Sequence, residues 1–230
     1  MIKAILFDFN GVIIDDEPLQ MKAYQEILGK EGLVVTEEDY YSCLGMDDKT
    51  FVEAAYRRAE KEPATNKVLE ITLAKTAKWR ELISDELPLF DGMVDVIKKM
   101  ANDFELGIVS MAKREEIEFV LESAGLRECF SVIVSAEDVE NCKPHPECYL
   151  KGFNALDSYR IKQQHLPMVH GECLVIEDSP PGIRSAKAAR LKALGVTNTV
   201  SAEQLRAAGA DAVAKNLDDW MPDSVRRVFV

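Results

Sequence analysis

The stretch Ile2-Lys3-Ala4-Ile5-Leu6-Phe7-Asp8-Phe9-Asn10-Gly11-Val12 begins with an apolar run that stops at a carboxylate. Such a run is the pattern of a strand buried on both faces, and it leads into Asp8 rather than a signal-peptide cleavage site. Asp8 therefore stands where the backbone leaves a sheet, and Gly11 permits a tight approach beside it. A carboxylate in that place suits a nucleophile. It equally suits a turn or a helix cap, and this stretch alone leaves both readings open.

The same signature recurs in Leu106-Gly107-Ile108-Val109, Val132-Ile133-Val134 and Leu174-Val175-Ile176. It is weaker in Ala193-Leu194-Gly195-Val196 and Asp211-Ala212-Val213-Ala214. Helix-like segments at 92–103, 113–124 and 182–190 fall between these runs, so the expected fold is α/β, with a parallel sheet flanked by helices. Residues 18–87 break the rhythm: they are charge-rich, helix-compatible and without a convincing strand, which predicts a helical insertion after the first strand. Within it, 65–84 carries Val68, Leu69, Thr72-Leu73, Ala77 and Leu82-Ile83 as an amphipathic pattern, between the helix breakers Pro63 and Pro88. The segment 157–172, with Gln163, Gln164, His165, Pro167 and His170, reads as a surface loop.

Composition narrows the function classes. At 230 residues, 47% hydrophobic and 30% charged, the chain is long enough to bury a real core. No apolar run approaches the ~20 residues of a membrane span. A net charge of −12 disfavours binding to nucleic acid or an anionic membrane, which rests on clustered Lys and Arg. Five cysteines, at 43, 129, 142, 148 and 173, show no CxxC spacing and fit reduced thiols in a cytoplasmic location.

Chemistry gathers at the predicted strand ends. Leu174-Val175-Ile176-Glu177-Asp178-Ser179 ends a second buried strand in two adjacent carboxylates. With Asp8 they suggest oxygen ligands for a hard cation such as Mg²⁺, capping being the plainer reading of Asp178 and Ser179. Ser110 ends the strand Leu106–Val109 and, with the amides of the next helix, offers a phosphate cradle. Lys143, on the turn Lys143-Pro144-His145-Pro146, supplies either a point charge for phosphate or a solvated surface cation.

Taken in order, Asp8-x-Asn10-Gly11-Val12, Ser110, Lys143-Pro144 and Glu177-Asp178-Ser179 resemble the four motifs of the haloacid dehalogenase superfamily. The likeness spans nearly the whole chain. It is closest to the beta-phosphoglucomutase-like phosphatases, through Asp15-Asp16-Glu17-Pro18-Leu19, Lys143-Pro144-His145-Pro146 and Glu177-Asp178-Ser179-Pro180-Pro181-Gly182-Ile183. The resemblance implies a Rossmann-like core domain of residues 1–17 and 88–230 and a helical cap domain of 18–87. It implies Asp8 as the phosphate-accepting nucleophile. Mg²⁺ would be held by Asp8, the Asn10 carbonyl and Asp178 with help from Glu177, while Ser110 and Lys143 hold the phosphoryl group. Gly11, Gly45, Lys75, Trp79 and Met111 occupy positions expected to face a small phosphorylated metabolite.

The chain departs from the pattern at Asn10, where the resembling phosphatases usually carry an Asp that protonates the leaving oxygen and later deprotonates water. An amide does neither, and general acid–base catalysis is worth about 10²–10⁴-fold. Gln20, where a His is common, and Asp16 beside Asp15 are further departures. Asp16 reads first as a solvated linker carboxylate, with a relocated acid as the other reading. Three functions follow as expectations: phosphatase, or with less support phosphomutase, acting on a sugar-phosphate-like metabolite; a phospholigand-binding or interaction module of impaired activity; and a carbon–halogen hydrolase using Asp8.

Overall fold

The computed structural model of the chain describes residues 1–218 and 220–229. Its centre is one sheet of six parallel strands: β1 (Ala4–Phe7), β2 (Glu105–Val109), β3 (Val132–Val134), β4 (Cys173–Glu177), β5 (Lys192–Val196) and β6 (Ala212–Ala214). Their spatial order is β3-β2-β1-β4-β5-β6. The chain thus builds outward from β1 on one side and later on the other, which makes the carboxyl end of β1 the switch point where open α/β sheets bind ligands. Register sharpens this. Phe7 lies opposite both Ile108 and Ile176, so the residues that follow the three central strands emerge at one level.

Strand residues alternate between two cores. Ile5 and Phe7 pack with Ile108, Leu174 and Ile176 on one face, against α5 (Met93–Ala101) and α6 (Arg114–Ser123). Ala4, Leu6, Val109 and Val175 pack on the other, against α7 (Glu147–Lys162) and α8 (Pro180–Ala188). The helix α7 corrects the surface-loop expectation for 157–172, because 157–162 is its last turn and a half. Its buried residues Cys148, Tyr149, Gly152, Phe153 and Leu156 recur at helical spacing. Gly152 lets the helix lie close on β2, since a Cβ there would meet Val109 Cγ2 at 2.5 Å.

Between β1 and β2 the described residues form helices and no sheet strand: α1 (Glu17–Lys30), α2 (Glu37–Tyr41), α3 (Asp48–Arg58) and α4 (Lys67–Leu82). Pro18 in the first turn of α1, the Thr36/Asp39 capping box of α2 and the Asp47 cap of α3 set their starts. These helices have their own core of Tyr24, Leu28, Phe51, Val52 and Ile71. Helix α4 differs from its predicted face. Leu69 and Leu73 are exposed at 59% and 54%, whereas Lys75, Thr76 and Trp79 are buried beside Thr72, which the predicted pattern did include. Polar side chains on neighbouring elements pair with that buried face, so hydrophobicity alone points the wrong way. Among the described residues no helix is long and apolar enough to cross a membrane.

Candidate active site

The switch point gathers the side chains that the strand ends promised. Lys143 Nζ lies 2.9 Å from Asp8 Oδ1 and 2.6 Å from Glu177 Oε1, and it also donates to the Val109 carbonyl at 3.4 Å. It is therefore a buried cation bridging two strand ends, and the surface-cation reading fails. Burial works against its ammonium, but the Asp8 and Glu177 carboxylates outweigh burial and hold its pKa above the ordinary lysine value. Glu177 is saturated: Lys143 and Tyr149 donate to Oε1, while Asp178 N, Ser179 N and Ser179 Oγ donate to Oε2. Its carboxylate fixes the lysine from behind.

Asp8, Glu177 and Asp178 place carboxylate oxygens within 4.8 Å of one another. Burial and the Glu177 charge push the Asp8 pKa up to about 7, and burial with Glu177 and Asp8 pushes Asp178 well above the carboxylate range. Thr199 donates to Asp178 Oδ2, one neutral hydrogen bond for a buried acid. Crowding Asp8, Glu177 and Asp178 beside one lysine disfavours their charged forms, a cost that a divalent cation would offset, and their all-oxygen chemistry fits Mg²⁺. Gly11, at φ +70°, is required here, since a Cβ on it would fall 2.0 Å from Asp178 Oδ2. Asn198 Nδ2 donates to the Gly11 carbonyl at 2.8 Å and pins that turn.

Asn10 lies between Ser110 and Asp16. Ser110 Oγ donates to Asn10 Oδ1 at 3.5 Å, while Asn10 Nδ2 donates to Asp16 Oδ1 at 3.0 Å and Oδ2 at 2.9 Å. Asp16 is fully buried, which corrects its reading as a solvated linker carboxylate. Gln20 Nε2 at 2.9 Å and Trp79 Nε1 at 2.8 Å also donate to it. Burial pushes the Asp16 pKa up, and these three donors oppose it. The Asn10 amide is consequently turned with its nitrogen toward Asp16 and its oxygen toward Ser110.

A cavity of about 90 Å³ lies between the sheet edge and α1–α4. Asp8, Asn10, Ser110, Lys143 and Asp178 line its sheet side, and Met111, Gly45 and Lys75 line it further out. Of the expected substrate-facing residues, Gly11 and Trp79 are not on its wall: Gly11 underlies Asp178, and Trp79 is fully buried behind Asp16. Sequence reasoning missed Tyr149, Thr199, Tyr24, Asp48 and Glu116. None ends an apolar strand run, and only tertiary packing carries them to the site.

Comparison with known proteins agrees with this geometry. The profile of the haloacid dehalogenase-like hydrolases matches residues 5–196. The chain is 27% identical over 223 residues to the chloroplastic protein Suppressor of Quenching 1 of Arabidopsis thaliana, a match of 94% of this chain and 20% of that much longer protein. It is 28% identical over 193 residues to the fructose-1-phosphate phosphatase YqaB of Escherichia coli, covering 84% of this chain and 95% of that one. In fold it is similar to beta-phosphoglucomutase from Clostridium difficile, with a TM-score of 0.85 at 22% identity, covering 100% of this chain and 97% of the other. With the motifs, the switch-point site and the matched profile in agreement, the chain belongs to the haloacid dehalogenase-like hydrolase family.

Proposed function

We propose that the protein is a phosphatase acting on a small, sugar-phosphate-like monoester, with residues 18–87 as a cap over the site. The observation that carries this is the convergence of Asp8, Ser110, Lys143 and Asp178 on one cavity at the β1 switch point. An Asp8 oxygen attacks phosphorus, the ester P–O bond breaks, and the leaving oxygen departs toward the helical side. Water then attacks the aspartyl phosphate, releasing inorganic phosphate and regenerating Asp8. Lys143 and Ser110 hold the non-bridging phosphoryl oxygens, Lys143 as a fixed charge needing no reorganisation during the reaction. Asp8, the Asn10 carbonyl and Asp178 would hold a Mg²⁺ ion, which would supply charge neutralisation at the transferring group.

Asn10 makes this a slow enzyme for poor leaving groups. Its amide nitrogen is bound to Asp16 and its side chain carries no titrating proton, so an alkoxide leaves without a positioned acid. The similarity to a fructose-1-phosphate phosphatase supports a carbohydrate leaving group. A panel of phosphorylated metabolites assayed with Mg²⁺ and with chelator tests the proposal. Chelator-sensitive phosphate release from sugar monophosphates is expected; halide release from haloacids with no phosphate release would overturn it.

A further inference from the structure

Strand β5 brings a loop over the acidic edge of the sheet. Gly195 lies opposite Glu177 in the register of β4 and β5, so the residues just past β5 emerge level with Asp178. That loop is tied down on two sides. Thr197 N donates to the Ala214 carbonyl at 3.0 Å, and Asn198 Nδ2 donates to the Gly11 carbonyl at 2.8 Å. The next residue, Thr199, is thereby carried against Asp178 and donates its hydroxyl proton to Oδ2. No step of phosphoryl transfer calls on this hydroxyl.

The two oxygens of Asp178 stand in unlike surroundings. Oδ2 accepts from Thr199 and lies so close to the Gly11 backbone that a Cβ on Gly11 would fall 2.0 Å from it and 2.8 Å from Thr199 Oγ1. Oδ1 accepts no hydrogen bond from the described residues, and Asp178 lines the cavity beside Asp8 and Asn10. The terminal torsion of an aspartate is broad, so an untethered carboxyl turns easily. Thr199 fixes it with one oxygen spent and one left over. The neighbouring carboxylates are likewise engaged: Lys143 holds Asp8 Oδ1 at 2.9 Å, and both oxygens of Glu177 are filled by protein donors. None of the three is therefore set to give both its oxygens to one cation.

We infer that Thr199 is a positioning residue for cation choice, holding Asp178 to binding through a single oxygen and so favouring Mg²⁺ over Ca²⁺. Mg²⁺ demands a near-octahedral set, keeps several waters and needs only one or two carboxylates. Ca²⁺ takes about six to eight oxygens and often both from one carboxylate, so ligand number and ligand flexibility decide between the two ions. Thr199 removes that flexibility at Asp178, the acid with an uncommitted oxygen. This inference rests on the metal site within the proposed function and not on the identity of the substrate.

Cation binding tests this without turnover. Calorimetric titration of the native chain, Thr199→Val and Thr199→Ser, with Mg²⁺ alone and with Ca²⁺ alone, reads the ratio of the two affinities. The native chain is expected to bind Mg²⁺ more tightly than Ca²⁺. Thr199→Val keeps the side-chain volume but removes the hydroxyl, and the ratio should move toward Ca²⁺ by about 10-fold, the lower end of what partners of metal ligands contribute. Thr199→Ser, which keeps the hydroxyl, should retain the native ratio. A role in loop packing alone would weaken both cations alike, and an unchanged ratio in Thr199→Val would overturn the inference. So would a native chain that binds Ca²⁺ as tightly as Mg²⁺, a measurement that remains decisive if Thr199→Val does not fold. Binding of neither cation would overturn the metal site and this inference with it. Selective Mg²⁺ binding by a chain that releases no phosphate from sugar monophosphates would overturn the phosphatase reading and leave the role of Thr199 standing.

Discussion

At the scale of single residues, the proposed loss of acid catalysis rests on Asn10. Its amide nitrogen lies 2.9–3.0 Å from both oxygens of buried Asp16, so Asn10→Asp sets two carboxyl groups against each other where water cannot separate them. Such a pair holds one proton in common up to unusually high pH. The proton shared by that pair is then available to the carboxyl at position 10 when an ester arrives, as general acid catalysis requires. Mg²⁺-dependent hydrolysis of alkyl phosphates should rise by roughly 10²–10⁴-fold, and aryl phosphates, with better leaving groups, should gain less. Unchanged rates on both, with fold and Mg²⁺ affinity intact, would mean that another group delivers the proton. Glu17 gives a second test at this scale. Burial, with the neighbouring Asp16 charge, pushes its pKa from 4.5 to about 8. Between those values the unfolded chain has lost this proton while the folded chain keeps it, so Glu17 makes stability fall as pH rises through that window. Urea denaturation at about pH 5 and about pH 8 should show a smaller decline for Glu17→Gln than for the native chain. An identical decline would show that Glu17 does not titrate across the window.

Among elements, α4 shows where sequence reading succeeds and where it stops. Its limits, Lys67–Leu82, fall inside the predicted 65–84, because helical propensity and the flanking Pro63 are local properties. Its orientation is not local: Lys75, Thr76 and Trp79 turn inward because Asp48, Glu116 and Asp16 wait on other elements. Removing one member of a buried charge group costs about 3–5 kcal/mol, since the partners are left uncompensated. Lys75→Met should therefore destabilise by about that much, while Leu69→Ala, on the exposed face, should fall within about 0.5 kcal/mol of the native chain. Chemical denaturation of both variants checks the pair, and the reverse ranking would restore the apolar face as the buried one. The strands were legible for the opposite reason. A strand buried on both faces writes its burial into consecutive residues, as Ile5-Leu6-Phe7 and Leu174-Val175-Ile176 do. Helix α7 was not among the predicted helical segments, and its last residues, 157–162, read as loop because they are mostly polar.

For the whole molecule, the site is a consequence of strand order. β1 lies between β2 and β4, so Asp8, Ser110 and Glu177-Asp178 share an edge although about 170 residues separate the first from the last. Asp8, Ser110 and the pair Glu177-Asp178 could be read from strand ends because the α/β fold puts ligands there. Asp48 and Glu116 could not, since they meet Lys75 only when the helices between β1 and β2 fold over the sheet edge. The whole account depends on Asp8 as the atom that takes the phosphoryl group. The most direct measurement mixes the protein with Mg²⁺ and an aryl phosphate, quenches in acid, and locates covalent phosphate by peptide mass. The account predicts one phosphoryl group on the peptide containing Asp8, none in Asp8→Ala, and loss of phosphate release in that variant. Undiminished Mg²⁺-dependent phosphate release by purified Asp8→Ala protein would contradict it.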